Sequence, residues 1–185
     1  MVTAIETGNA LDLGLLVLRV LLGALMAGHA TQKLFGWFRG AGPDGTGIVF
    51  HAYGVRPGAA MALSAGAAEL AGAILIAAGL VCPFGNAIVV STMVVAVACN
   101  YANGIWAHLG AGYEVAFVYG AIAAVLAYTG PGRWSLDALI GVGARDGYVW
   151  GTAAVIVGIA GAAPILLRRR LALATDGARP ATEPA

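Results

Sequence analysis

Long, uninterrupted apolar runs alternate along this chain with shorter stretches rich in glycine, proline and charge. Five runs stand out, at about residues 13–35, 57–81, 84–106, 113–129 and 148–167. None shows the period-two alternation of a strand, and each is near the ~20 residues a helix needs to cross a bilayer. Inside lipid the backbone must satisfy its own hydrogen bonds, so such runs read as helices. The pattern predicts an all-α, polytopic transmembrane helix bundle.

The connections differ in character. Residues 36–56 form the longest and carry Gly36, Gly40, Gly42, Gly45, Gly47, Gly54 and Pro43, which predict turns. Trp37, Phe38, Phe50 and Tyr53 suit that loop to the membrane interface or a re-entrant cap. The second connection is little more than Cys82, Pro83 and Phe84, so the second and third runs should form a tight antiparallel hairpin. The connection around residues 108–112 is also short. The fourth contains Trp134, Leu136, Leu139 and Ile140, which predict an amphipathic turn or two on the membrane surface. From residue 171 the tail is polar and rich in proline and alanine, and reads as disordered.

Composition agrees with a membrane location. Apolar residues make up 60% and charged residues 10% of the 185, against roughly a quarter charged in a soluble domain. The mean hydropathy is +0.85. A net charge of +1 and a single lysine give nucleic acid nothing to bind, so the lipid bilayer is the expected partner. Glu6 and Asp12, with Arg19 interrupting the first run, predict that this run is retained rather than cleaved as a signal peptide. Arg168, Arg169 and Arg170 directly follow the fifth run and favour a cytoplasmic C-terminus, in a multi-pass protein of the plasma membrane. Five spans then place Lys33, Arg39 and Arg56 inside, and Arg133 and Arg145 outside beside Asp137 and Asp146.

Candidate chemistry centres on Glu69, the only charged side chain in residues 57–81. A carboxylate at that depth costs several kcal/mol unless it is paired, protonated or facing a wet cavity. In the first run, Arg19, His29 and Lys33 fall within an arc of roughly 80° at 3.6 residues per turn. A polar stripe in lipid must face the bundle interior. By rise per residue Arg19 lies about 6 Å from the midplane and His29 about 9 Å beyond it. Either reaches Glu69, and Arg19, always charged, is the expected counter-charge. Lys33, near a helix end, is expected to snorkel to the interface. Ala65, Gly66, Gly72 and Ala73 flank Glu69 and allow helices to close in. Exclusion of water disfavours the charged form, so a protonated, hydrogen-bonded Glu69 is the alternative to an ion pair. Asn100 and Asn103 add polar groups near the boundary, and Glu114 opens the fourth run, where the helix dipole favours it.

Cys82 and Cys99 should lie about 25 Å apart along one helix, too far for a disulfide. The histidines His29, His51 and His108 offer no convincing haem pair, and no metal spacing, nucleotide loop or nucleophile elbow is present.

Four blocks carry a resemblance. The stretches HATQKLFGWF (29–38), AELAGAILIAAGL (68–80), NGIWAHLGAGYE (103–114) and GPGRWSLDALI (130–140) resemble, in order, the DoxX family of small integral membrane proteins. Gly28 matches the glycine that commonly precedes the first block's histidine. The resemblance implies a four-helix domain at 13–142, after an N-terminal tail at 1–12. An additional transmembrane helix at 143–167 and a basic, then disordered, tail at 168–185 lie outside it. It implies no catalytic residues; Arg19, His29, Lys33, Glu69, Asn103 and Glu114 match polar positions of the family. Some relatives resemble subunits of thiosulfate:quinone oxidoreductase, and another is associated with a redox complex of superoxide dismutase and a sulfurtransferase. The expected role is therefore a non-autonomous subunit of a redox system acting on sulfur, quinone or oxidative stress, with no cofactor identified, quinone as a candidate, and redox enzymes as candidate partners. A small-molecule or lipid transporter and a non-catalytic scaffold are the alternatives.

Overall fold

The computed structural model describes residues 4–106, 112–141 and 146–177. Among these, every regular element is a helix, as the apolar pattern predicts. Helix α1 (Ala4–Phe35) is followed by a 3-10 turn and then α2 (Gly42–Ala52), α3 (Gly58–Ala78) and α4 (Cys82–Asn100). After them come α5 (Glu114–Thr129), the single turn α6 (Leu136–Leu139) and α7 (Gly147–Gly177). Helices α1, α3, α4 and α7 are long and apolar enough to cross a membrane. The 16-residue α5 is shorter. It nevertheless accompanies α4 from end to end. Leu126 O accepts from the Cys82 thiol at 3.7 Å, and the rings of Tyr101 and Tyr113 stack 5.8 Å apart at the other end.

Glycine lets these helices touch backbone to backbone. A Cβ on Gly23 of α1 would lie 2.7 Å from Ala77 Cβ of α3, and one on Gly72 of α3 would lie 2.8 Å from Val89 Cγ2 of α4. Small residues serve this purpose in membranes, where packing rather than water drives association. The pairs Gly23 with Ala73 and Ala77, and Gly66 with Ala30 and Leu34, show that α1 and α3 run antiparallel. Leu22 and Met26 of α1, Ala73 and Ile76 of α3, Val89 and Met93 of α4, and Ala123 and Leu126 of α5 share one buried core. Helix α7 packs outside this four-helix bundle, where Ala154 meets Ala87 and Ala127. Leu21, Leu25, Val125, Ile156 and Val157 face outward and exposed, as a lipid-bathed surface requires.

Three boundaries differ from the sequence expectation. The connection 36–56 contains the helix α2 rather than turns alone. Pro43 occupies its first turn, where a missing N–H costs nothing, and Asp44 complements the helix dipole. Gly47 serves contact, because a Cβ there would lie 2.7 Å from Ala59 N. Helix α1 begins at Ala4, well before residue 13, and its early turns are tied down where Arg133 binds Asp12 and Asn9. Helix α7 continues to Gly177 instead of ending near 167, because the good helix formers Leu171 to Ala174 prolong it. Leu173 packs over Gly54, and Asp176 pairs with Arg56. The remaining tail, 178–185, lies outside the described residues, as do His108 and Arg145.

Two ends of the bundle can now be distinguished. The α2 end holds the C-termini of α1, α4 and α7 and the start of α3 and α5. The α6 end holds the start of α4 and the ends of α3 and α5.

Candidate functional site

Glu69 is the twelfth of the 21 residues of α3 and is 2% exposed. Its partner is Lys33, whose Nζ donates to both carboxylate oxygens. This corrects two expectations: Arg19 is not the counter-charge, and Lys33 does not snorkel. The reason is register: the pairs Gly23 with Ala73 and Ala77, and Gly66 with Ala30 and Leu34, set Lys33 about one turn from Glu69 and Arg19 level with the end of α3. Each helical side chain leans toward the N-terminus of its own helix. Lys33 sits near the C-terminus of α1, so its stem leans inward, along the bundle. Glu69 leans toward the start of α3, which lies at the same α2 end, so the two meet. Arg19, already beside Gly79 at the end of α3, leans further toward the α6 end and away from Glu69.

His29 lies one turn from Lys33 on the same face of α1. Its imidazole stands edge-on to Tyr119 of α5, with ring centroids 6.0 Å apart and planes at 74°. The charges of both Lys33 and Glu69 reach it. Helix α1 packs extensively on α3 but only lightly on α5. The cluster therefore opens sideways: His29 is exposed and the Lys33 side chain 21% exposed, while the Glu69 side chain is 3% exposed. Lys33 carries three donors, of which Glu69 takes two. An ammonium, an imidazole, a phenol and a carboxylate thus line one lateral opening. The group can donate hydrogen bonds to a carbonyl and can relay a proton.

Arg19 belongs to a different construction. It is 1% exposed, and its Nη1 and Nη2 donate to Ala77 O at 3.2 Å and Trp134 O at 2.6 Å. A Cβ on Gly79 would fall on Arg19 Nη1, and Gly79 has φ +62°, so glycine is required there on both counts. Beside it, buried Asp137 caps α4 by accepting from Val81 N at 2.8 Å and Cys82 N at 3.0 Å. That cap holds Val81 at φ 46°, an uncomfortable conformation for a β-branched residue. Asp137 thus fastens the turn α6 to the start of α4 on its inner side, while Trp134, Leu136, Leu139 and Ile140 stay exposed on its outer side, as an amphipathic turn at the surface requires.

The remaining candidates do not join Glu69. Asn100 accepts from Tyr53 OH at 3.1 Å and donates to Ala96 O at 2.9 Å, pinning the end of α2 to α4. Asn103, in a 3-10 turn, and Glu114, in the first turn of α5, are exposed. Among the described residues no group of three His, Cys, Asp or Glu side chains is placed to hold a metal ion.

Sequence reasoning overlooked Tyr119 and the inward role of Asp137. Tyr119 did have a signal: it is the polar-tipped residue deep inside an otherwise apolar run. Asp137 follows Ser135, whose Oγ accepts from Ala138 N at 3.2 Å, so the N-cap pattern was present, but nothing local indicates that its carboxylate serves a second helix.

Comparison with curated proteins and comparison with solved structures each return no match. A family model, DoxX, matches residues 14–109, which is just over half the chain. The matched stretch runs from α1 through α4 and includes Arg19, His29, Lys33, Glu69, Asn100 and Asn103; α5, α6 and α7 lie beyond it. With several helices long and apolar enough to cross a membrane, and that match over its first four, the chain belongs to the DoxX family.

Proposed function

We propose that this protein is the membrane subunit of a redox system working on sulfur, quinone or oxidative stress, and that the Lys33–Glu69–His29 cluster is where it meets a quinone head group. One observation carries the reading: a buried ammonium–carboxylate pair at mid-depth, with an imidazole and a phenol beside it, opens toward lipid between α1 and α5. Lipid is where quinones travel, and intramembrane ionisable groups commonly serve proton or ligand traffic.

The residues fit a quinone. A quinone head group presents two carbonyl oxygens, both acceptors, and its reduction takes up two electrons and two protons. The third Lys33 donor, His29 and Tyr119 OH supply hydrogen bonds to such carbonyls. Glu69 holds Lys33 in place, and His29, the side chain whose ordinary pKa lies nearest neutrality, is suited to pass protons. Electron transfer itself belongs to a partner enzyme, since a chain built this way supplies binding, orientation and proton handling.

The redox system is proposed to lie in the plasma membrane, with the α2 end cytoplasmic. Lys33, Arg39, Arg56, Arg168, Arg169 and Arg170 gather at or near that end, against Arg19 and Arg133 among the described residues at the α6 end.

The test is quinone reduction by membranes of the native host carrying Glu69→Gln in place of the wild-type chain. The expected result is normal protein abundance with partner-dependent quinone reduction lowered by a factor of about 100 or more, the span of a proton-transfer contribution. Unchanged turnover at normal abundance would overturn the proposal.

A further inference from the structure

A second feature lies on the far side of α4 and α5 from Glu69. Helices α4, α5 and α7 enclose an open groove of about 560 Å³. Val90, Val94 and Val97 of α4, Ala121 of α5 and Leu166 of α7 make apolar walls. At the α2 end the groove finishes at Tyr101 with Arg169 and Arg170. Along α4 it extends from Val90 to Tyr101, about 17 Å at 1.5 Å per residue. One leaflet of the hydrocarbon core is about 15 Å deep. The groove therefore has the length of one leaflet and carries its two guanidinium groups where head groups begin.

The arginines are placed rather than loose. Arg169 Nε donates to Tyr53 O at 3.0 Å, and Tyr53 is held in turn by its hydroxyl on Asn100. Anchored through Nε on Tyr53 and in hydrogen-bond contact with the Cys99 side chain, the Arg169 guanidinium is held at the end of the groove beside the exposed Arg170, and guanidinium geometry matches a phosphate. Asp176, the acidic residue nearest in sequence, is engaged by Arg56.

We propose that this groove binds one anionic phospholipid, with its phosphate on Arg169 and Arg170 and one acyl chain along α4. Two features favour an anionic head group over a zwitterionic one. The groove ends on two cations, and basic pockets between helices on the cytoplasmic side select anionic lipids. The site stands apart from the Lys33–Glu69 cluster, so it holds whether or not that cluster binds quinone.

The test is native mass spectrometry of the full chain in mild detergent, titrated with phosphatidylglycerol and with phosphatidylcholine of the same acyl chains. Phosphatidylglycerol should bind one per chain and at least tenfold more tightly. Arg170→Gln, at an exposed position, should weaken it about fivefold, and the Arg169→Gln/Arg170→Gln double variant about 25-fold. Ala121→Trp, also exposed, fills the groove without disturbing the core and should abolish the one-to-one complex. Arg39→Gln removes a charge from the same end but outside the groove and should leave binding unchanged. Equal binding of the two lipids, a complex that survives Ala121→Trp, or an Arg39→Gln loss equal to that of Arg170→Gln would each overturn the proposal.

Discussion

Two cations, Arg19 buried and Lys33 half-buried, sit on one helix, fourteen residues apart, and are handled in opposite ways. At the α6 end, Arg19 is enclosed: its donors go to backbone carbonyls of Ala77 and Trp134, and Asp137 beside it is consumed by two backbone N–H groups of α4. At mid-depth, Lys33 is bound by one side chain, Glu69, with His29 and Tyr119 along an edge that opens to lipid. Charges tied to backbone fix where helices end. Charges tied to one another, with capacity left over, remain able to exchange a partner or a proton. The comparison assigns architecture to the first region and chemistry to the second.

The largest effects should come from leaving a buried charge alone. Lys33→Met strands Glu69 and should lower stability by about 3–5 kcal/mol in detergent unfolding; Arg19→Leu leaves the Ala77 and Trp134 carbonyls without their donor and should cost about 1–3 kcal/mol for each. The comparison sharpens when the partner is removed too. Lys33→Met with Glu69→Leu should restore most of the loss, since a buried pair replaced by apolar residues is often neutral or better. An Arg19 variant has no single partner whose removal would rescue it in this way. A Lys33→Met protein as stable as wild type would show that the pair is not buried in solution.

Gly79→Ala comes next. It forces a Cβ onto Arg19 Nη1 at a positive φ, and should cost about 1–3 kcal/mol in the same assay. An unaffected variant would break the account of the α6 end as a closed knot.

His29→Phe should change stability by less than about 1 kcal/mol, because an aromatic edge still meets Tyr119. Quinone reduction by host membranes should nevertheless fall. A stability loss with intact turnover would move His29 from the chemical region to the architectural one. The smallest effect belongs to Arg56→Gln, whose exposed pair with Asp176 should leave the unfolding midpoint within measurement scatter.

Much of this contrast was legible in the sequence, though not its pairing. The apolar runs marked the spanning helices, and the isolated charge in 57–81 marked Glu69. The 3.6-residue period put His29 and Lys33 on one face. What the period does not encode is the register of α1 against α3, and that register decides between Arg19 and Lys33. Measuring depth from the middle of each apolar run favoured the wrong cation, because α1 begins nine residues before its run. Helix α2 was hidden because its glycines read as turn formers, whereas Gly47 is there to let α2 touch α3. The last turns of α7 were hidden because their support comes from Gly54 and Arg56, more than a hundred residues earlier.

The most direct test of the central claim is labelling with a photoreactive quinone analogue, applied to the wild-type chain and to the folded Lys33→Met/Glu69→Leu variant. If the open cluster takes a quinone head group, label should appear on α1 around His29 and on α5 around Tyr119, be competed by unlabelled quinone, and vanish in the variant. Label scattered over the lipid-facing surface, insensitive to competition and unchanged in the variant, would contradict it and leave Lys33 and Glu69 as a fastening between two helices.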